Sequence, residues 1–190
     1  MFQNKKSWLS GIVIFLVTIQ SLSNWVFYGI DKVSAAGPVE ETKLVAVFVE
    51  KNIYEDIKNN LQWYTLQYIQ SRFARTKALV FPVDTSTISA IDIQKILTNL
   101  YFWGEKDTPS SLIGTVLIGK IPLPVIKNEQ NIFPSIIPYT DLEKPWFIYD
   151  NASSYFIPSS SPVDNKQELF HGLINFDKTE QYNNYFTKLK

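Results

Sequence analysis

Between residues 43 and 118 the apolar positions follow two periods in turn. "KLVAVFV" (43–49) is an unbroken, β-branched apolar run, the pattern of a strand buried on both faces. Beyond it Ile53, Ile57, Leu61, Tyr64 and Tyr68 recur at helical spacing while Asp56, Lys58, Asn59 and Asn60 fall elsewhere, which predicts an amphipathic helix ending near Arg75. Asn52, three residues before Glu55, suggests a capping-box start for it. "ALVFPV" (78–83) reads as a second strand in which Pro82 restricts pairing. Ser89 and Asp92 open a second helix with Ile93, Leu97 and Leu100 on one side, closing at Gly104. Residues 113–118 form a third strand.

Strand, helix, strand, helix, strand with short connections predicts an α/β fold. It has a parallel sheet flanked by helices, a three-layer, Rossmann-like arrangement, because right-handed crossovers return each strand beside its neighbours. In such sheets ligands bind beyond the carboxyl ends of the strands. "GKIPLP" (119–124) lies there, either as a functional rim or simply as the place where the chain leaves the sheet. The first strand-to-helix turn, "VEKNIYEDI", has no glycine, which argues against a dinucleotide-binding domain.

After residue 125 the pattern changes. "FPSIIPYTDLEKPWFIYD" (133–150) spaces Pro134, Pro138 and Pro145 through aromatics, a composition for packed loops and short strands. "SSSP" (159–162) is a loop or minor boundary, residues 169–176 read as a further strand, and residues 179–189 as a helix. No internal repeat is present.

The amino-terminal 36 residues have a different logic. Lys5 and Lys6 precede an uncharged stretch from Ser7 to Ile30, followed by Ser34, Ala35 and Ala36. Basic, apolar, small is the order of a secretory signal peptide, cleaved here after Ala35 or Ala36. The uncharged stretch exceeds the ~7–15 residues of a signal core and reaches the ~20 needed to span a bilayer, so a retained anchor through residues 7–30 is the alternative. A buried core helix is the third. Signal or anchor, the remainder is exported, either secreted or held at the cell surface. The leader's three lysines and one aspartate carry +2, which leaves −2 on residues 37–190 of a chain whose net charge is zero.

Length and composition narrow the function. A chain of 190 residues suits one domain with a real core, and 45 % hydrophobic with 19 % charged residues is ordinary for a globular protein. Without a basic cluster, nothing electrostatic points to nucleic acid. There is no cysteine, hence no disulfide and no thiol nucleophile in this chain.

Two positions carry candidate chemistry. Asp141 and Glu143, two residues apart in "PYTDLEKP", can bind Ca²⁺ together with backbone carbonyls. One of them can act as an acid or base if buried, or Asp141 can cap a turn while Glu143 is solvated. His171 in "ELFHGLI" is the sole histidine and has no partner histidine for a metal, and no serine sits in a G-x-S-x-G elbow; a hydrogen-bonded structural role suits it. Trp63, Tyr64, Tyr68, Tyr101, Phe102 and Trp103 are packing aromatics.

"VLIGKIPLPV", then "FPSIIPYTDLEKPWFIYD", then "ELFHGLI" and a terminal helix, in that order, resemble the first subdomain of gingipain-type cysteine peptidases, over about residues 43–190. The matching elements are Ile118 to Pro122, Tyr139-Thr140-Asp141 and Phe170-His171-Gly172. The resemblance implies a caspase-like fold, with residues 37–160 as the first subdomain and 161–190 as the start of a second. It also implies that the catalytic histidine and cysteine lie further on, so no catalytic residue is carried onto this chain. Two expectations follow. The chain is the amino-terminal, non-catalytic part of a longer exported peptidase-like protein. Alternatively it is a complete, non-catalytic surface binding module for a protein or peptide, with the proline-aromatic segment as its contact rim. On either expectation Lys120, Tyr139, Asp141 and His171 are the candidates for a functional rim.

Overall fold

The computed structural model describes residues 42–102, 112–129, 131–164 and 166–190, and the leader lies outside them. Among the described residues no helix is long and apolar enough to cross a membrane.

Strand β1 (Lys43–Glu50) leads into helix α1, which begins at Lys51–Trp63, continues as a π-helical stretch Tyr64–Ile69 and finishes with Gln70–Arg72. Strand β2 (Thr76–Val83), helix α2 (Ala90–Tyr101) and strand β3 (Leu112–Ile118) follow. Short strands β4 (Val125–Asn128) and β5 (Asn131–Pro134), a single turn α3 (Ile137–Thr140), and strands β6 (Phe147–Asp150) and β7 (Tyr155–Pro158) occupy the proline-aromatic region. Strand β8 (Phe170–Ile174) and helix α4 (Thr179–Leu189) complete the chain.

The main sheet has the order β2-β1-β3-β8, with every pair parallel. The expected α/β fold with a parallel sheet flanked by helices is therefore present. β1 lies inside the sheet, and Val45 to Val49 are wholly buried. Its pleat sends Val45, Val47 and Val49 to one face, with Ile57, Leu61, Tyr64, Tyr182 and Phe186 of α1 and α4. Ala46 and Phe48 go to the other, with Ile93, Leu97 and Tyr101 of α2. Pro82 is tolerated because β2 is an edge strand with a side free of ladder demands.

Helix α1 departs from the expected geometry at both ends. It starts at Lys51 with no side-chain cap, so Asn52 and Glu55 form no capping box. Its buried positions are Ile57, Leu61, Tyr64, Thr65 and Ile69, and four of them, Ile57, Leu61, Thr65 and Ile69, are spaced four apart. In an α-helix such a series drifts by about 40° at each step, since each residue turns about 100°. The wider π-helical stretch over Tyr64–Ile69 turns less per residue and so offsets that drift in the second half of the helix. Thr65 supports it by donating its hydroxyl to the carbonyl oxygens of Leu61 (3.0 Å) and Gln62 (3.1 Å). Helix α2 follows its sequence closely: Ser89 and Asp92 form the reciprocal capping box, and Ile93, Leu97 and Tyr101 are buried. Its expected closure at Gly104 lies outside the described residues.

The second face is only partly covered by a helix. Ile121, Tyr139, Leu142 and Leu169, all outside long elements, complete the layer beside α2. The proline-rich chain thus does the work of a helix here. A second, smaller sheet of order β5-β4-β7-β6 is built from that same region, with Ile126 and Phe156 facing each other across β4 and β7 and both buried.

Candidate cation centre

The turn α3 is fixed before any charge is placed. Tyr139 is fully buried, and its hydroxyl donates to the carbonyl oxygen of Pro122 at 2.7 Å, tying the turn to the exit of β3. The Thr140 carbonyl accepts the backbone N–H groups of Glu168 (2.9 Å) and Leu169 (3.1 Å). Residues 164–169, arriving after the β6–β7 hairpin, are thereby laid against the end of α3. Sequence neighbours of neither end predict this meeting.

Three carboxylates converge there. Asp141, Asp164 and Glu168 each offer one oxygen, and these oxygens lie within 4.8 Å of one another. Asp141 is 1 % exposed. Its Oδ2 accepts the backbone N–H of Trp146 at 2.7 Å, while its Oδ1 is buried without a hydrogen-bond partner. Glu168 repeats the arrangement: Oε2 accepts the backbone N–H of Leu142 at 2.6 Å, and Oε1 is buried and unpartnered. Asp164 accepts the Lys166 backbone N–H through Oδ1 at 3.1 Å. The indole N–H of Trp146 donates to the Asp164 carbonyl, so this residue is held at both its backbone and its ring.

A buried carboxylate, Asp141, and a half-buried one, Glu168, each with one oxygen hydrogen-bonded and the other enclosed without a partner, call for a positive partner. Burial raises the Asp141 pKa above the ordinary carboxylate value, the Trp146 N–H lowers it, and the charges of Glu168 and Asp164 raise it further. Like charges this close repel by roughly 3.5 kcal/mol per pair at an effective dielectric of about 20. A hard cation bound by oxygen ligands cancels that repulsion and satisfies both orphan oxygens at once. Three carboxylates in an irregular loop cluster, with backbone carbonyls and water completing the shell, fit the flexible coordination of Ca²⁺ better than the strict octahedron of Mg²⁺.

The residues singled out in the sequence are dispersed by the fold. Asp141 is in the cluster, but Glu143 is not: it is exposed, and its Oε1 accepts the Tyr101 hydroxyl at 2.6 Å, linking the loop to α2. Tyr139 is an internal strut. Lys120 is exposed at the exit of β3, where its backbone N–H donates to Glu50. His171 is exposed in the middle of β8, opposite Thr115. Asp164 and Glu168 were not legible as partners of Asp141, because only the return of the chain through the β6–β7 hairpin brings them together. The one local hint is their own i, i+4 spacing in "DNKQE". No family model, curated protein or solved structure matches this chain.

Proposed function

We propose that this chain is the amino-terminal, non-catalytic α/β unit of an exported, gingipain-like protein of caspase-like fold, and that Ca²⁺ on Asp141, Asp164 and Glu168 holds its loop layer in place. The observation that carries the reading is the pair of orphaned buried oxygens, Asp141 Oδ1 and Glu168 Oε1, which meet where residues 164–169 lie against the turn that bears the Tyr139-Thr140-Asp141 motif. The all-parallel order β2-β1-β3-β8 supports the caspase-like assignment, and the basic, apolar, small order of residues 1–36 supports export. With no cysteine in the chain, thiol chemistry would belong to residues beyond Lys190 in a longer protein. Intact mass and peptide mapping of the native protein from its own cells test this. A larger species with a downstream histidine and cysteine supports the peptidase reading, and a species ending at Lys190 removes it.

A second reading, a surface binding module for a protein or peptide, draws on the small sheet. Ile132 and Ile148 lie on its face opposite the buried Ile126 and Phe156, and they are 56 % and 42 % exposed. Apolar side chains in that position are suited to contact with another macromolecule.

A further inference from the structure

Beside the carboxylate cluster a cavity of about 300 Å³ is lined by Ile137, Asp141, Trp146, Lys166 and Gln167. We infer that this cavity is a saccharide subsite, in which a vicinal diol of a neutral sugar ring completes the coordination of the cation held by Asp141, Asp164 and Glu168. The inference rests on the cation reading above and adds a ligand to it.

Four observations converge on that ligand class. Asp141 belongs both to the cluster and to the cavity wall, and its Oδ1 is buried and unpartnered. A cation bound there therefore has the cavity as one of its neighbours. The cavity is at the small end of the range for ligand pockets, about 300–1,000 Å³, and suits one ring better than an extended chain. Trp146 is 39 % exposed, and its backbone N–H and indole N–H are both engaged, so its ring is a flat wall that needs no ordering when a ligand arrives. The apolar C–H face of a pyranose packs on such a wall, while the exposed amide of Gln167 offers both a donor and an acceptor to hydroxyl groups.

Charge selects a neutral ligand over an acidic one. Three carboxylates and one divalent cation leave a residual −1. Lys166, exposed and without an ion pair among the described residues, supplies +1 at the same rim. The loaded site is thus close to neutral overall. A carboxylate or phosphate would gain little from it, whereas a diol brings two oxygen donors without adding charge.

The test uses the full chain in isothermal titration, first with CaCl₂ alone and then with methyl α-mannoside, methyl α-glucoside and methyl β-galactoside, each with CaCl₂ or EDTA present. Sodium acetate and a short acidic peptide serve as comparators. The expected result is Ca²⁺ binding, followed by binding of at least one glycoside that weakens more than about tenfold in EDTA and about tenfold in Trp146→Ala, a loss of roughly 1.4 kcal/mol. Ca²⁺ binding with no glycoside response, or glycoside binding indifferent to EDTA, overturns the saccharide inference and leaves the cation site standing. Preference for acetate or the acidic peptide overturns it in favour of an anionic ligand. Failure to bind Ca²⁺ removes the cation reading and the inference together.

Discussion

The carboxylate of Glu50, the last residue of β1, accepts the backbone N–H of Lys120 at 2.8 Å, just after β3 has ended. Between them stands Gly119 with φ +93°, its own N–H bonded to the Ile174 carbonyl of β8 at 2.9 Å. The chain runs from β1 to β2 on one side and then crosses back to β3 on the other, so β1 and β3 flank the point where the sheet's winding reverses. The abrupt turn "IGKIPLP" is the meeting place of three strand ends. Its glycine is obligatory twice over, because a Cβ there would stand 2.6 Å from the Glu50 Cβ and 2.8 Å from its Oε2, in a backbone region L side chains rarely adopt.

Gly119→Ala is accordingly expected to destabilise the fold by about 2–4 kcal/mol, from left-handed backbone strain plus overpacking. Urea denaturation followed by circular dichroism measures it. A loss below about 0.5 kcal/mol would show that the turn relaxes freely and that the Glu50 contact does not constrain it.

Calcium should stabilise the folded chain. At a hundredfold excess over Kd, linkage gives about 2.7 kcal/mol, or a rise in Tm of roughly 5–10 °C for a domain of this size. Asp141→Asn should abolish the rise yet leave the calcium-free protein no less stable, since an amide relieves the crowding of three carboxylates. Equal melting temperatures in CaCl₂ and EDTA for the unaltered chain would rule out a cation at this place.

Alkaline pH should loosen the α1–α4 face. Burial first, then the neighbouring Tyr185 and Tyr68 hydroxyls, push the Tyr64 pKa from 10.0 to about 12. Between those two values the unfolded chain has released the proton and the native one retains it. Stability is therefore fully present below pH 10 and falls as pH rises from 10 through about 12. The loss from this group is on the order of 2–3 kcal/mol. Comparing urea midpoints of the unaltered chain and Tyr64→Phe at pH 8 and pH 11 checks the sign. The variant should lose less between the two pH values, and an equal or larger loss contradicts the assignment to Tyr64.

Ser89→Ala removes one half of the capping box at the start of α2, in which the Asp92 N–H donates to Ser89 Oγ at 3.3 Å and the Ser89 N–H to Asp92 Oδ2 at 3.0 Å. The expected cost is about 1 kcal/mol. Hydrogen exchange should rise most in the first turn of α2, and a change spread evenly over the sheet would point to another cause.

The parts of the fold that were legible in the sequence are those where local pattern and burial agree. "KLVAVFV" had to be an inner strand, because no polar side chain interrupts it. Ser89 with Asp92 specified a helix start through groups three residues apart. The stripe of α1 was visible, but its π-helical stretch was not, since four-residue spacing of buried positions becomes a geometric demand only when a flat sheet lies beneath. Asn52 and Glu55 had the right types for a cap yet lost to a helix that begins directly from β1. Asp164 and Glu168 escaped notice for a different reason: what joins them to Asp141 is two backbone bonds to the Thr140 carbonyl, a long-range closure that no local period encodes.

That closure has a thermodynamic meaning of its own. The segment from Asp141 to Glu168 contains the whole β6–β7 hairpin, and its two ends carry carboxylates placed so that one cation could bridge them. In a chain without cysteine, a cation shared across those ends would be a reversible crosslink. Unlike a disulfide it would answer to the calcium level of its surroundings: firm where calcium is plentiful, as it is outside cells, and open where calcium is scarce. The order of the proline-aromatic layer would then follow the calcium concentration around the chain.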